Sequence, residues 1–96
     1  MDLSSMPTVD LHHLLVDEAL QRTFCMIKLA YHWRWPSLKI ITGKGNHSAG
    51  GSKLLAPVRG ALERSTNLTV QSFTSSVEGG SFIVSIKRRR ENGREE

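Results

Sequence analysis

The chain has 96 residues, of which 39% are hydrophobic and 23% are charged, with a formal charge of +4 and a pI near 9.7. This is the size and composition of one soluble globular domain. Its single cysteine excludes an internal disulfide and a zinc finger, and its apolar runs fall short of the ~20 residues that cross a bilayer. The positive charge favours a polyanionic partner. We expect a monomer without membrane association in a reducing compartment, the cytoplasm or the nucleus.

The first predicted element is a strand that carries a candidate acid–base pair. Residues 1–7 are predicted to be a flexible leader, and residues 8–12 alternate as a short strand does. Val9 and Leu11 would face the core, which puts Asp10 and His12 together on the opposite face. A carboxylate can hold one imidazole N–H, orient the ring and raise its basicity. Two solvated residues on an exposed strand would show the same spacing, so both interpretations stay open.

A helix is predicted to begin within residues 13–16 and to end near residue 33, because Pro36 disfavours helical geometry at Trp35. Asp17 and Glu18 lie in its first turn, where negative charge suits the helix dipole. Its apolar face follows helical spacing and is centred on Val16, Leu20, Phe24, Ile27 and Tyr31. Neighbouring small or apolar residues widen this face, namely Ala19, Thr23, Met26 and Ala30.

The end of this helix combines two tryptophans with a cation, in the order Trp33, Arg34, Trp35. Nucleic-acid bases stack on aromatic side chains, so this segment could form a binding platform. Alternatively, at least one of the tryptophans fills the edge of the core.

A glycine-rich loop at residues 42–52 follows a predicted strand at residues 38–41 and precedes a predicted helix at residues 53–64. In a strand–loop–helix unit, free backbone N–H groups and the helix dipole favour a bound anion, and glycine lets the backbone approach a phosphate. The loop matches neither the nucleotide-binding P-loop, which would need lysine at position 51, nor the dinucleotide pattern, which would need glycine at position 48. It is therefore either a phosphate-binding loop of another kind or a connector without a ligand.

The last third of the chain is predicted to be a hairpin followed by a charged tail. Residues 67–74 alternate with Leu68 and Val70 inward, Gly79 and Gly80 mark a turn, and residues 81–87 are rich in β-branched side chains. Residues 88–96 form a flexible tail. The basic run at residues 87–90 is a nuclear-localisation signal, a phosphate-binding patch or simply a solvated terminus.

The predicted order is therefore β-α-β-α-β-β, an α/β arrangement. The first two strands should lie side by side and parallel, with right-handed crossovers. Ligands of such sheets bind beyond the carboxyl ends of the strands. We therefore expect Asp10, His12 and the glycine-rich loop to meet at one edge of the sheet.

Two motifs resemble those of Smr (small MutS-related) domains. The sequence VDLH at residues 9–12 resembles their L-D-x-H-G motif, although His13 stands where that motif has glycine, and TGKG at residues 42–45 matches their T-G-x-G motif. The extension at residues 46–51 resembles the eukaryotic stand-alone form, and the resemblance covers residues 8–87. It implies a two-layer α/β sandwich similar to the C-terminal domain of translation initiation factor three. It also implies nucleic-acid binding, endonuclease activity and mRNA cleavage on stalled ribosomes.

These observations lead us to predict an endonuclease that prefers RNA and uses Asp10 and His12 as catalytic residues. The predicted substrate-binding residues are Gly43, Lys44, Gly45, Asn46, His47, Ser48 and Arg59. RNA supplies its own 2′-hydroxyl nucleophile, so no cofactor is required; the alternative is a divalent metal with Asp10 as a ligand. Two other functions stay open, a non-catalytic module that binds RNA, DNA or the ribosome within a larger protein, and a protein-interaction domain with an idle loop.

Overall fold

The structure is a computed structural model that describes residues 6–43, 53–76 and 79–88. A four-stranded sheet packs on one face against two helices. The elements in chain order are β1 (Thr8–Asp10), α1 (Val16–His32), β2 (Ser37–Ile41), α2 (Leu55–Ser65), β3 (Val70–Ser75) and β4 (Ser81–Ile86). The predicted two-layer α/β sandwich and its β-α-β-α-β-β order are confirmed. Neither helix in the described ranges is long and apolar enough to cross a membrane.

The strands lie in the spatial order β1-β2-β4-β3. β1 and β2 are parallel, with Val9 opposite Ile40, and β4 is antiparallel to both β2 and β3. The predicted parallel pair and the predicted hairpin are therefore both present. The turn before β4 contains Gly79 and Gly80, both at φ +79, a region that glycine adopts without steric cost.

The core lies between the sheet and the helices, because alternate residues of the two central strands point to the same side. Leu38 and Ile40 of β2 and Phe82 and Val84 of β4 are fully buried there. Burying each such side chain contributes roughly 1.5–3 kcal/mol. The prediction that Leu68 points inward is wrong: it is 71% exposed. Its N–H instead donates to the Ser65 carbonyl oxygen (2.9 Å) in the turn that ends α2, and β3 begins only at Val70.

The buried face of α1 lies within the predicted apolar stripe, on the side of its smaller residues. The residues that face the core are Ala19, Thr23, Ile27 and Ala30. Small side chains let the helix backbone approach its neighbours closely, and the Thr23 hydroxyl donates to the Ala19 carbonyl oxygen (2.8 Å). Phe24, predicted to be in the core, is 37% exposed, and its ring lies beneath the Arg64 guanidinium at 5.9 Å.

The C-terminal end of α1 has the hydrogen bonds of a Schellman motif. The Trp35 N–H donates to the Ala30 carbonyl oxygen (2.9 Å) and the Arg34 N–H to that of Tyr31 (3.3 Å), with Arg34 at φ 59. This sharp reversal packs Trp35 against the core and leaves Trp33 exposed. The prediction that one tryptophan fills the core edge is confirmed.

Leu15 is the N-cap residue of α1, and it makes only one of the two hydrogen bonds of a capping box. Its backbone is extended (φ −73, ψ 160), and the Glu18 carboxylate accepts its N–H at 3.1 Å. The leucine side chain is 72% exposed and has no atom that could accept a hydrogen bond from a backbone N–H of the first helical turn. Leu15→Ser would complete the box and raise the free energy of unfolding by about 1 kcal/mol, measured by urea denaturation. Leu15→Ala is the control; a serine variant no more stable than the alanine variant would contradict this account.

Candidate active site

The pairing of β1 with β2 brings the candidate site together. Because the two strands are parallel, both carboxyl ends lie at the same edge of the sheet. The pairing continues one residue past β1, where the Leu11 N–H donates to the Ile41 carbonyl oxygen (2.7 Å). Leu11 is fully buried, so it anchors the turn that follows. The site edge, as far as the structure describes it, is therefore formed by Asp10, His12, Thr42 and Gly43.

Asp10 and His12 are in direct contact at this edge. The His12 Nδ1 atom lies 2.6 Å from the Asp10 Oδ1 atom, and the His12 backbone N–H donates to the same oxygen at 3.1 Å. We expected this contact from strand alternation, but β1 ends at Asp10 and His12 lies in a turn. The side chain-to-backbone bond of an Asx turn brings the two groups together. The pair was thus predicted correctly for an incorrect geometric reason.

The contact also determines which imidazole nitrogen faces outward for chemistry. The Nδ1–H and backbone N–H of His12 hold the pKa of Asp10 below its ordinary value, so the carboxylate is ionised at neutral pH. An ionised carboxylate only accepts hydrogen bonds, so the His12 Nδ1 atom carries the proton. The Nε2 atom of a neutral ring is then a proton acceptor. Since the two side chains are 59% and 45% exposed, water screens their attraction, and the contact orients the ring more than it stabilises the fold.

Gly43, the first glycine of the T-G-x-G motif, lies against His12. A Cβ atom built at Gly43 would be 3.1 Å from the His12 Cβ atom, and Gly43 has φ +92. Any side chain here would be strained and would press on the His12 Cβ atom, which carries the imidazole ring. Of the predicted loop residues, the structure thus brings Gly43 to the Asp10–His12 pair.

The Gly80 carbonyl oxygen holds the beginning of the loop, a role that sequence reasoning missed. It accepts the N–H groups of Thr42 (2.8 Å) and Gly43 (3.0 Å) and the Thr42 hydroxyl (3.3 Å). The Gly43 N–H is therefore engaged within the protein, and a substrate-binding role for Gly43 stays a prediction. The sequence of Gly79 and Gly80 indicates a turn, but no sequence pattern indicates that the Gly80 carbonyl oxygen binds Thr42 and Gly43.

The other predicted substrate-binding residues divide into two groups. Lys44, Gly45, Asn46, His47 and Ser48 lie outside the described residues, so their roles stay predictions. Arg59 is an exposed residue of α2, and its guanidinium carbon lies 5.6 Å from the centre of the Phe82 ring. Phe82 pairs with Ile40, near the carboxyl end of β2. Arg59 of α2 therefore lies over the half of the sheet that is nearer the candidate site.

His13 adds a third metal-ligating group to the pair. The ligand atoms of Asp10, His12 and His13 all lie within 4.8 Å of one another, and all three residues are exposed. The two imidazole rings are edge to face, with centroids 5.4 Å apart. Two imidazoles and a carboxylate suit a divalent transition metal such as zinc. The residue that departs from the L-D-x-H-G motif is thus the one that would make a single-ion site feasible.

The chain was compared with known families and structures. The family model of the Smr domain matches residues 9–87, which confirms the likeness that the motifs predicted. The Smr domain of Thermus thermophilus MutS2 is similar at a TM-score of 0.71 and 27% identity, over 85% of this chain and 99% of that one. The human small-MutS related domain is similar at a TM-score of 0.54 and 30% identity, over 82% of this chain and 99% of that one. No curated protein sequence matches significantly.

A stand-alone small MutS-related protein from Escherichia coli, YdaL, shares the fold. Its TM-score is 0.64 at 23% identity, over 84% of this chain and 64% of that one. At this identity the likeness concerns the arrangement of helices and strands. It agrees with the α/β sandwich described above.

Substituting Gly43 tests its contact with His12. Gly43→Ala should lower the free energy of unfolding by about 1 to 2 kcal/mol, because alanine is strained at positive φ, and should also displace the His12 ring. The readouts are urea denaturation and the NMR resonances of the His12 ring. Gly79→Ala is the matched control, with φ +79 but nothing within 4 Å of its Cβ position. Equal shifts of the His12 resonances in both variants would contradict the contact.

The lowered pKa of Asp10 predicts how stability depends on pH. A carboxylate whose folded pKa lies below its unfolded value stabilises the fold above the unfolded pKa, and this contribution disappears as the pH falls through the folded pKa. Wild type should therefore be more stable than Asp10→Asn at neutral pH, and the two should converge in strong acid. Urea denaturation across pH measures this, and added salt should reduce the difference. A constant difference down to the lowest pH would contradict the prediction.

Proposed function

Because this chain belongs to the Smr family, a nuclease-related group of domains that bind nucleic acid, we propose that it is an endonuclease that cleaves RNA. The observation that carries the proposal is the 2.6 Å contact between Asp10 and His12 at an exposed edge, with Gly43 against His12. Such an oriented imidazole suits general acid–base chemistry. Its exposure leaves room for a polymeric substrate.

In the proposed reaction, the Nε2 atom of His12 accepts the proton of the RNA 2′-hydroxyl. The 2′-oxygen then bonds to the adjacent phosphorus, and the bond from phosphorus to the 5′-oxygen breaks. The departing 5′-oxygen takes a proton from solvent, which leaves a 2′,3′-cyclic phosphate and a 5′-hydroxyl. Asp10 keeps the imidazole in the tautomer with a free Nε2 lone pair and stabilises the imidazolium that forms. Every atom needed comes from the substrate, water and these two side chains.

The phosphate needs positive charge opposite its non-bridging oxygens, which become more anionic as the 2′-oxygen attacks. We assign this to Lys44 and the backbone N–H groups at residues 45–48, with Asn46, His47 and Ser48 as further donors. The first turn of α2 contains no acidic residue, so no carboxylate competes with a phosphate for the positive end of the helix dipole. Arg59, on the same helix, would contact a neighbouring phosphate. The net charge of +4 supports binding of a polyanion.

The resemblance of the loop to the eukaryotic stand-alone form leads us to propose a finer assignment. The substrate would be mRNA on stalled ribosomes, RNA rather than DNA, and the protein would act as a monomer in the cytoplasm. The proposed chemistry requires RNA, because DNA lacks the 2′-hydroxyl nucleophile. Co-sedimentation with ribosomes tests the partner, and protein that stays in the supernatant would contradict it.

The proposal is tested by cleavage of a labelled single-stranded RNA. His12→Ala should reduce the rate by about a hundredfold or more, because the general base is removed. Asp10→Asn should reduce it less, because the ring loses its fixed tautomer but not its position. Both variants should still bind RNA, whereas Lys44→Ala should weaken binding. His32→Ala, which removes an exposed imidazole at the far end of α1, is the matched control and should cleave as wild type does.

The products distinguish this mechanism from its alternatives. Cyclic phosphate ends, cleavage in the presence of a chelator and failure to cut a strand with a 2′-deoxy nucleotide at the scissile position would support it. Cleavage that a chelator abolishes, with 5′-phosphate ends, would reject it in favour of a metal at Asp10, His12 and His13. A wild type that binds but never cuts would show a non-catalytic module.

A further inference from the structure

The end of the sheet opposite the candidate site brings together two basic segments that are distant in sequence. β4 runs antiparallel to β2, so its carboxyl end lies beside the beginning of β2. There the Ile86 N–H donates to the Pro36 carbonyl oxygen (3.0 Å), and the Lys87 N–H donates to that of Thr69 (2.8 Å). The cations that follow β4 thus lie beside the Trp-Arg-Trp segment that follows α1.

Between these segments lies a groove of about 490 Å³, which we call the basic groove. The described residues that line it are Arg34, Trp35, Pro36, Ile86, Lys87 and Arg88. Three of the six are cations and none is a carboxylate. Its shape is maintained from two sides, because Trp35 packs against the core and Arg34 is the left-handed residue of the Schellman motif. Concentrated positive charge around an indole and a proline suits a polyanion with flat apolar bases.

We propose that the basic groove is a second nucleic-acid-binding site, which contacts phosphates of the same RNA strand that is cleaved at the opposite edge. In taking RNA as the ligand, this inference rests on the proposed function. The two ends are separated by the five residues of β2, roughly 17 Å of extended chain. A single-stranded RNA of several nucleotides can bridge that distance, whereas a dinucleotide cannot.

The sheet face that points away from the helices offers a path between the two ends. On β2 and β4 the core residues alternate with Ser37, Lys39, Ile83 and Ser85, which are half-buried and point to this other face. Lys39 lies near the middle, opposite Thr8 on one side and Ile83 on the other. On these two strands the face carries serines, isoleucines and one central cation, so an extended strand can lie across it.

The test measures binding to a labelled single-stranded RNA of about 12 nucleotides, within the range that such surfaces occupy. All variants carry His12→Ala, so that cleavage does not consume the probe. Adding Lys87→Glu and Arg88→Glu should weaken binding about tenfold or more and lower the slope of log affinity against log salt by about 1.4, which corresponds to two phosphates on a single strand. Adding Arg22→Glu and Lys28→Glu, two exposed cations of α1, is the matched control for net charge and should change binding by less than about threefold.

A neutral variant and a folding check keep the result interpretable. Lys87→Gln with Arg88→Gln should give a smaller loss in the same direction, and thermal unfolding should show that every variant is folded. Unchanged affinity and salt slope in the basic-groove variants would overturn the inference, as would an equal loss in the α1 control. So would failure of the His12→Ala parent to bind RNA at all.

Cleavage with His12 restored separates this inference from the proposed function. The basic-groove substitutions should raise KM for the long RNA and leave kcat unchanged, and they should not affect an RNA of about four nucleotides, which is too short to reach both ends. If wild type binds RNA through the basic groove but does not cut, the proposed function fails and the basic groove stands as an RNA-binding site. If wild type cuts and the basic-groove variants bind and cut identically to it, the inference fails and the proposed function stands.

Discussion

The parallel pairing of β1 with β2 is the constraint on which the rest of the molecule depends. It aligns the carboxyl ends of two strands that are separated by the whole of α1, and the bond from the Leu11 N–H to the Ile41 carbonyl oxygen extends the alignment to the site edge. Asp10, His12 and Gly43 meet only because this register holds. A shift of one residue would turn Val9 out of the core and Asp10 into it, so core packing and site geometry specify the same register.

The site is oriented by hydrogen bonds and left open to water. Asp10 accepts both the backbone N–H and the Nδ1–H of His12, which defines the ring position and tautomer with one carboxylate oxygen. Exposure keeps the ion–imidazole attraction weak, so the pair contributes more to geometry than to stability. Such a site gains its full electrostatic strength only when a substrate displaces the surrounding water. An exposed pair of this kind fits a long flexible substrate better than a small molecule, which needs an enclosing pocket.

Two glycines, Gly43 and Gly80, meet where the chain leaves β2 beside the candidate site. Gly43 lets the chain leave β2 at positive φ directly against His12, and Gly80 presents a carbonyl oxygen to the same turn from the neighbouring strand. The beginning of the loop, which leads into the predicted substrate-binding residues, is thereby tied to the sheet. His13 has the opposite effect, because it adds bulk and a second imidazole where the motif has glycine, and it gives the edge a set of metal-ligating atoms.

Sequence alone determined the element order, the parallel pair, the hairpin and the identity of the Asp10–His12 pair, because these follow from local periodicity, turn residues and short motifs. It predicted a wide apolar stripe on α1 that includes Ala19 and Thr23, but it did not show that these small residues are buried and Phe24 is exposed, since close packing and not hydrophobicity decides this. It also placed Leu68 in a strand, because alternation cannot show that a helix-ending turn extends to Thr69. Only the tertiary structure decided that Gly80 binds the loop and that Arg34, Lys87 and Arg88 share one groove, because both depend on the central position of β4, a long-range pairing that no local pattern specifies.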